Sequence, residues 1–365
     1  MPREHPLRIG VDARPLLEPP GGFRRYLESI LPALYSAGPE IEWQLFLPRH
    51  TALDASLLPP GGRVTIVPGS LQAWLRVPWE EWLLPRALES NRVDVLFSPY
   101  GAVPRRAPCP VVGTIHDIYF AMRPDTVGYW HRRYWNSVAR RSRGAATILT
   151  PSESVRRDAI ALLGLGPDRV VVIPHGVSSV FQPRGEADPE APTAARTTDG
   201  PYILSFGPWT PRKNLAMLAE ATRGFHDSRG KPIHLAVTGP SPVAPRFDHL
   251  VCLQTPSDRE LAALMRGAML SCVPSLHEGF GLPALEAMAC GSAVVVSGGG
   301  ALPEVTGGAA VVVESQDPLI WRGVIERLLA DPGERRRLGI AGVERSRFFS
   351  WEKAAREYLS LLGKG

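Results

Sequence analysis

Two glutamates eight positions apart, Glu278 and Glu286, carry the most specific chemistry in this sequence. The first precedes a Gly279-Phe280-Gly281 turn, and the second lies in a helix-forming run that begins at Leu282-Pro283. Backbone N–H groups at a helix start attract anions, and ionised carboxylates accept hydrogen bonds from hydroxyl groups. The spacing predicts a site for a ligand that carries a phosphate between two hydroxyl-bearing sugars. Taken singly, either glutamate is as easily a solvated surface residue.

A basic pair, Arg212-Lys213, lies in the loop that follows the predicted strand 202–206. Exposed basic pairs are common, but at the carboxyl end of a strand and opposite a phosphate-binding helix they suit a diphosphate. Such cations stabilise a leaving diphosphate without a bound metal ion. Because no Asp-x-Asp motif lies in a plausible metal loop, we expect neither a metal site nor a cofactor.

Two further candidates lie in the first half of the chain. His116 and Asp117 follow the predicted strand 110–115, at the strand end where open α/β sheets bind their ligands. Gly21 and Gly22 precede a predicted amphipathic helix, 24–34, and form a turn at which a phosphate can approach the backbone. On their own these signals are weak, because a lone histidine is usually structural and two glycines usually form a plain loop.

The string PSLHEGFGLPALEAMACGSAVVVS, residues 274–297, resembles the E-x7-E signature of the GT-B glycosyltransferases, in particular the retaining family 4. The resemblance implies that Glu278 lies by the donor sugar, Glu286 by the nucleotide ribose, and residues 279–282 at the donor. It also implies that Arg212 and Lys213, in the PRKN segment, hold the diphosphate. Many members carry an arginine directly after the glycine of this loop, where this chain has Pro208.

The resemblance extends to the first half of the chain. There a Gly-Gly loop, matched by Gly21-Gly22, reaches the donor phosphates, and the histidine matched by His116 lies close to the transferred sugar. Asp117 would orient His116 or act on an acceptor hydroxyl. The resemblance therefore implies His116, Asp117 and Glu278 as catalytic residues, with the remaining candidates binding the donor.

The reaction that the resemblance implies is transfer of a hexosyl group from a nucleotide sugar to an acceptor hydroxyl on a glycan, glycolipid or small molecule. The family retains the anomeric configuration and generally needs no metal. No carboxylate here is an obvious covalent nucleophile, so we favour a front-face path in which the leaving phosphate takes the acceptor proton. Similarity of the HDIYF, PSES, IPHGV and PRKN segments to bacterial mannosyltransferases favours GDP-mannose as donor, with a UDP-sugar as the alternative.

Three other functions fit parts of the pattern. A GT-B sugar-nucleotide epimerase would bind the same donor but needs extra acid and base carboxylates. A non-catalytic nucleotide-sugar binder is disfavoured by the intact set of Arg212, Lys213, Glu278 and Glu286. A nicotinamide-dependent enzyme is disfavoured because no G-x-G-x-x-G follows the first strand.

The elements that must position these residues alternate along the chain. Strands are predicted at 8–11, 43–47, 64–67, 93–97, 110–115, 147–150 and 170–173, then at 202–206, 234–238, 269–273, 293–296 and 309–313. Helices fall between them, which indicates βαβ units and parallel sheets, the α/β class. The GT-B resemblance implies two Rossmann-like α/β/α domains that face each other across a cleft.

Composition predicts the domain boundaries in this chain of 365 residues, which is long enough for two domains. Residues 182–200 are polar and rich in Pro and Ala, which indicates a linker or an exposed loop. They separate an acceptor-binding domain, 1–181, from a nucleotide-sugar-binding domain, 201–348. Residues 349–365 are amphipathic and, by resemblance, form a helix that crosses back to the first domain.

The net charge of +5 lies wholly in residues 1–180, which hold 21 arginines and no lysine against 16 acidic residues. This excess fits an anionic acceptor or a peripheral contact with a membrane, although so small a surplus is also unremarkable. The aromatic stretch around Trp74, Trp79 and Trp82 suits a docking surface or, more commonly, a core.

A basic helix is predicted at 130–146. Trp130, Tyr134 and Val138 repeat every four residues along one face, and arginines that include Arg140 and Arg141 take the other faces.

The cellular location of the protein is predicted from features that the sequence lacks. No apolar run reaches the roughly 18 residues of a membrane span, and the charged start runs directly into a strand. The four cysteines show no paired spacing, which is typical of thiols in a reducing compartment. We expect a cytoplasmic protein, free or peripheral on the inner membrane face, with no nucleic-acid partner.

Overall fold

The computed structural model divides the chain into two units. It describes residues 5–18, 21–61, 63–69, 73–126, 128–183, 200–239 and 247–363. The first unit comprises Met1–Gly176 together with Trp351–Gly365, and the second comprises Val177–Ser350. The boundaries predicted at 181 and 348 lie close to these divisions, while most of the predicted linker, 184–199, lies outside the described residues.

Short runs of branched apolar residues form the strands of the first unit, since such residues suit a pleated and buried surface. The strands are β1 Arg8–Asp12, β2 Glu42–Leu47, β3 Val64–Ile66, β4 Val95–Ser98, β5 Val111–Thr114, β6 Thr147–Thr150 and β7 Val170–Val172. They form one sheet in the order β3-β2-β1-β4-β5-β6-β7, and every described pairing is parallel. His116 follows β5 at the carboxyl edge of this sheet, where ligands of such sheets bind.

Helices connect these strands. They are α1 Gly22–Ala37, α2 Ala73–Pro78, α3 Leu84–Ser90, α4 Tyr119–Met122, α5 Tyr129–Arg141 and α6 Glu153–Leu163, with a π-helical turn, Trp79–Leu83, between α2 and α3. The start of α6 shows how sequence sets a boundary: the Ser152 side chain accepts a hydrogen bond from the Val155 N–H. Gly164, in the left-handed conformation, ends the same helix.

A buried ion cluster ties α5 to the end of β1, and it corrects one prediction. Arg14 donates to Asp12 at 2.5 Å and to Glu80 at 2.8 Å, and Arg141 donates to Glu80 at 2.5 Å. Tyr134 adds a 2.6 Å hydrogen bond to the same carboxylate. Burial alone would raise the pKa of Glu80, but Arg14 and Arg141 lower it. The prediction that Arg141 lies on a different face of the helix from Tyr134 was therefore wrong, because both side chains bind the same buried carboxylate.

The second unit repeats the architecture. Its strands are β8 Tyr202–Phe206, β9 His234–Thr238, β10 Leu250–Leu253, β11 Leu270–Val273, β12 Val294–Ser297 and β13 Val311–Val313. The sheet order is β10-β9-β8-β11-β12-β13, again with parallel pairings. The helices are α7 Leu215–Ala221, α8 Asp258–Gly267, α9 Leu282–Ala289, α10 Leu302–Thr306, α11 Pro318–Ala330 and α12 Pro332–Ser346.

A last helix, α13 Trp351–Leu362, belongs to the first unit. Its Tyr358 hydroxyl lies 2.7 Å from that of Tyr26 on α1, and both side chains are buried. The Tyr358 ring also meets Phe97 of β4 edge-on, with ring centroids 5.6 Å apart. The apolar face of α13 thus completes the core of a unit whose other residues end at Gly176.

Aromatic residues in two of the segments discussed above differ from one another in their exposure. Of the three residues predicted to share one face of α5, Tyr134 and Val138 are buried, whereas Trp130, in the first turn, is 71% exposed. In the aromatic stretch, Trp79 is fully buried while Trp82 is 61% exposed. The side chain of Trp74 lies outside the described residues. No described helix combines the length and apolar character needed to cross a membrane.

Candidate active site

Glu278 is the centre of a charged group in the second unit. It lies in the loop between β11 and α9, and it is buried. The Lys213 ammonium donates to its Oε1 at 2.7 Å, and Arg212 Nη1 donates to its Oε2 at 3.0 Å. The structure thus brings together three residues that the sequence placed in two separate loops.

The electrostatics of this group keep Glu278 ionised. Burial alone would raise its pKa, but the charges of Lys213 and Arg212 and the hydrogen bond from Lys213 lower it to about 2. The carboxylate is therefore negative throughout the physiological range. Arg212 keeps 28% of its side chain exposed, whereas Lys213 is buried, so the guanidinium is the more accessible of the two cations.

A glycine turn fixes the path of the Lys213 side chain. Gly207 follows β8 with φ +99°, a conformation that favours glycine. A Cβ at this position would lie 2.8 Å from Lys213 Cε, so the aliphatic chain of Lys213 passes directly over Gly207. The turn therefore explains how a residue of the short helical turn Pro211–Lys213 reaches a carboxylate after β11.

A second glycine loop, 298–300, supports Glu278 from the other side. The Glu278 N–H donates to the Gly299 carbonyl at 3.3 Å, and the Ala301 N–H donates to the Glu278 carbonyl at 2.8 Å. A Cβ on Gly299 would lie 2.6 Å from the carbonyl of Leu276, so only glycine allows this approach. Loop 298–300 thus holds the Glu278 backbone, while the two cations hold its carboxylate.

The turn after Glu278 is largely buried. Gly281 has φ +96° and precedes α9, and a Cβ there would lie 2.7 Å from Leu302 Cδ2. Gly279 is buried and Leu282 is half-buried. Phe280 packs in an apolar cluster, with its ring 5.7 Å from that of Phe349, so any contribution to ligand binding comes from its backbone.

Glu286 lies in the second turn of α9 and is 3% exposed. A carboxylate so deeply buried on a helix is unusual on packing grounds alone, because burying a charge is costly. Glu286 lies close to the Glu278 loop in sequence, and it is buried. Both observations make it a functional candidate.

In the first unit the structure pairs His116 with a histidine that was not predicted as a site residue. His116 Nε2 lies 2.9 Å from the Pro99 carbonyl, and His116 Nδ1 lies 3.2 Å from His175 Nε2. A carbonyl can only accept, so the proton of His116 lies on Nε2 and its Nδ1 accepts from His175. The PHGV segment, which follows β7, was the one sequence signal for His175.

Both imidazoles are neutral at physiological pH. Burial lowers the pKa of His116 to about 4, although the Pro99 carbonyl and Asp117 oppose it, and burial also lowers the pKa of His175 well below its ordinary value. Asp117 Oδ1 accepts a 3.2 Å hydrogen bond from the Tyr119 N–H, a local turn contact. His116 is thus oriented by Pro99 and His175, not by a described hydrogen bond to Asp117.

The predicted Gly-Gly loop lies next to this histidine pair. Gly21 and Gly22 are exposed, and α1 begins at Gly22 rather than at the predicted residue 24. The rings of Phe23 and Tyr26, in the first turns of α1, meet His116 edge-on at 5.2 and 4.4 Å. The exposed start of α1 and His116 therefore share one edge of the first unit.

Metal ligands do not cluster in the part of the chain that the structure describes: no three His, Cys, Asp or Glu side chains lie together in a group that could hold an ion.

Comparison with known proteins links this geometry to a family. A model described as Glycosyltransferase Family 4 matches residues 20–181, and one described as Glycosyl transferases group 1 matches residues 200–331. The Glu278 group and Glu286 lie within the second match, and His116 and the Gly-Gly loop lie within the first.

Curated relatives carry glycosyltransferase names. The chain is 33% identical to an MMP alpha-(1->4)-mannosyltransferase of Mycolicibacterium hassiacum, over 70% of this chain and 65% of that protein. It is 29% identical to O-antigen chain mannosyltransferase B of Escherichia coli, over 75% of each chain. The match thus spans slightly less than two thirds of the first relative's own length.

Solved structures share the fold over nearly the whole chain. Sucrose-phosphate synthase of Thermosynechococcus elongatus superposes with a TM-score of 0.75 at 19% identity, covering 98% of both chains. HepE of Anabaena, in complex with UDP and glucose, superposes with a TM-score of 0.72 at 16% identity, covering 99% and 100%. These likenesses show the fold, two parallel-sheet α/β domains of the GT-B type. The family models that match both halves of the sequence, together with the glycosyltransferase relatives, show that the chain belongs to glycosyltransferase family 4, with mannosyltransferases among its relatives.

Proposed function

We propose that this protein transfers a hexosyl group from a nucleoside diphosphate sugar to an acceptor hydroxyl, with retention of the anomeric configuration and without a metal ion. The observation that carries the proposal is the Glu278 group: one ionised carboxylate held by two cations beside the start of α9. Such a group offers the two things that a sugar diphosphate needs, cations for the phosphates and an acceptor for sugar hydroxyls.

Arg212 and Lys213 would stabilise the leaving diphosphate. Glu278 uses one N–H of each in the contacts described above, and a guanidinium has five N–H donors while an ammonium has three. Both cations can therefore contact phosphate oxygens while they still hold Glu278. They would supply charge stabilisation where negative charge develops on the leaving group.

Glu278 would accept hydrogen bonds from the transferred sugar, and Glu286 from the ribose. A pKa of about 2 keeps Glu278 ionised, so it acts as an acceptor and an orienting group rather than as a proton donor. In the front-face step, the bond from the anomeric carbon to the phosphate oxygen breaks while the acceptor oxygen bonds to the same face. The acceptor proton passes to the departing phosphate oxygen, so charge and atoms balance without a protein base.

GDP-mannose is the donor that we favour, with a UDP-sugar as the alternative. Support comes from the names of two relatives, an MMP alpha-(1->4)-mannosyltransferase and an O-antigen chain mannosyltransferase B. The acceptor would be a glycan, a glycolipid or a small molecule.

Calorimetric titration of the full chain with GDP and with UDP tests the donor assignment. We expect one nucleotide to bind, and Arg212→Ala and Lys213→Ala each to weaken that binding by about ten- to a hundredfold, because a charge-assisted contact contributes roughly 1.5–3 kcal/mol. Arg266→Ala is the matched control, since this arginine lies in the same unit, in the last turn of α8, and should leave affinity unchanged. Unchanged affinity in both site variants would contradict the diphosphate role.

A further inference from the structure

The first unit contains a concavity at the opposite edge of the sheet from His116. It encloses about 760 Å³ and is lined by residues that immediately precede three strands: Pro110 before β5, Ala146 before β6 and Arg169 before β7. His116 follows the carboxyl end of β5, whereas this concavity lies at the amino ends of the same strands. It is therefore separate from the candidate active site.

Arginines dominate the charge of this concavity, which we call the arginine pocket. Its thirteen lining residues, all described, include Arg105, Arg140, Arg141 and Arg169 and no acidic residue. Arg105, Arg140 and Arg169 are exposed, and none of them forms an ion pair with a described carboxylate. Two of these arginines also form hydrogen bonds within the unit. Arg140 donates to the Asn136 backbone carbonyl, and Arg169 donates to backbone carbonyls at 3.0 and 3.2 Å. Three positive charges thus face one cavity without an anionic partner among the described residues.

Arg141 supplies a second, independent observation. It is 94% buried (6% exposed), and its two terminal nitrogens bind Glu80 and Glu81 at 2.5 and 2.9 Å. Its Nε–H, however, is buried without an acceptor among the described residues. A buried donor without an acceptor is costly, and most such groups in folded proteins are satisfied. The unfilled donor and the unpaired charges belong to residues that line the same cavity.

We propose that the arginine pocket binds a phosphate group. Guanidinium groups bind phosphate through paired N–H donors, and a doubly charged oxyanion matches three uncompensated arginines better than a carboxylate does. A cavity of this size accepts the phosphate together with the small polar group that it esterifies. The phosphate could be part of a soluble phosphate ester or of a phospholipid headgroup, and the chemistry of recognition is the same.

Titration of the full chain with glycerol 3-phosphate tests the proposal. The test variant is the triple substitution Arg105→Gln, Arg140→Gln and Arg169→Gln, which alters exposed side chains only. The matched control is Arg49→Gln, Arg86→Gln and Arg157→Gln, three exposed arginines of the same unit with the same change of charge. A third protein, Arg212→Ala/Lys213→Ala, removes phosphate binding at the candidate active site. Circular dichroism melting verifies that all variants fold.

We expect saturable binding to the wild-type protein and to the Arg212/Lys213 variant. The triple variant at the arginine pocket should bind at least tenfold more weakly, while the control stays within about twofold, because several charge-assisted contacts are lost only in the former. Equal loss in the control would show general electrostatic attraction and overturn the proposal. Unchanged binding in the triple variant would overturn it as well.

Flotation with phosphatidylcholine vesicles that contain phosphatidic acid distinguishes the source of the phosphate. Flotation that the triple variant loses and the control keeps, without binding of glycerol 3-phosphate, assigns the pocket to a lipid headgroup. Binding of glycerol 3-phosphate without flotation assigns it to a soluble ester. Failure of the wild-type protein to bind either ligand would overturn the proposal.

Discussion

Glu278 is held in its ionised form by Lys213 and Arg212, and this has a measurable effect on stability. Its pKa is lowered from the ordinary value of 4.5 to about 2. A carboxylate whose pKa is depressed on folding stabilises the protein above its unfolded pKa, and this contribution is lost as the pH falls through the folded pKa. The relevant window therefore lies between about pH 4.5 and pH 2.

We predict that Glu278→Gln lowers the melting temperature at pH 7 and that its difference from the wild-type protein shrinks as the pH falls below 4.5. The depressed pKa corresponds to at most about 3 kcal/mol of stability. Calorimetric melting of both proteins from pH 7 to pH 3 measures this, with exposed Glu352→Gln as the control. A pH-independent difference would show that Glu278 is not an ion-paired carboxylate.

His116 presents the opposite case, a neutral base held by hydrogen bonds. With a pKa of about 4 it does not titrate between pH 5.5 and 8. We predict that His116→Ala keeps near-normal nucleotide affinity but lowers transfer at least tenfold, by the same factor at pH 5.5 and 7.5, because its role is orientation and hydrogen bonding.

Initial rates and calorimetry on the same preparation test the His116 prediction. Full activity in His116→Ala would remove this residue from the site. A loss confined to pH values above 6.5 would instead indicate that the imidazole takes up a proton during turnover, contrary to its depressed pKa.

At the scale of single residues, the sequence indicated candidate residues through short motifs but did not indicate contacts between residues that lie far apart along the chain. Arg212, Lys213 and Glu278 were identified because each lies in a short motif. The pairing of His116 with His175 was not predicted, because 59 residues separate them and each looks like a lone histidine. Arg141 was misplaced for a similar reason, since Glu80 lies 61 residues away.

At the scale of structural elements, the backbone geometry of the turn that follows β8 determines where a side chain can lie. Gly207→Ala should weaken nucleoside diphosphate binding about tenfold, because the new Cβ would displace Lys213 Cε from its 2.8 Å approach. Gly224→Ala is the matched control: it also places alanine at a positive φ, +72°, but the new Cβ meets nothing within 4 Å. Calorimetric titration compares the two, and equal affinities would show that the turn does not position Lys213.

Most strands were predicted within about two residues, because runs such as YILSF and TILT are short, apolar and bounded by turns. β10 was missed. Its residues are mostly half-buried with Cys252 exposed, since it lies at the sheet edge, and the sequence pattern there is correspondingly weak.

At the scale of the whole molecule, we propose that protein cations rather than a metal ion neutralise the charge of the donor diphosphate. We predict that excess EDTA leaves the transfer rate within about twofold, since Arg212 and Lys213 provide the positive charge that a divalent ion would otherwise supply. Assays with EDTA, and after addition of Mg²⁺ or Mn²⁺, measure this. Loss of activity that either ion restores would reveal a metal requirement.

The division into two parallel-sheet units was predictable from the alternation of strands and helices, and the family from the Glu278–Glu286 motif. The place of α13 was not derivable from its own residues, which show only an amphipathic pattern. Its partner Tyr26 lies 332 residues away in sequence, and only the family resemblance indicated the return to the first unit.

Because α13 completes the first unit, that unit cannot be complete until the last part of the chain has been synthesised. The ribosome produces Val177–Ser350 before it produces Trp351–Leu362. The second unit can therefore finish its core while the first still lacks the helix that covers Tyr26. A chain stalled just after Ser350 would carry one complete unit and one with an open apolar face, the state in which a nascent chain most needs protection from aggregation.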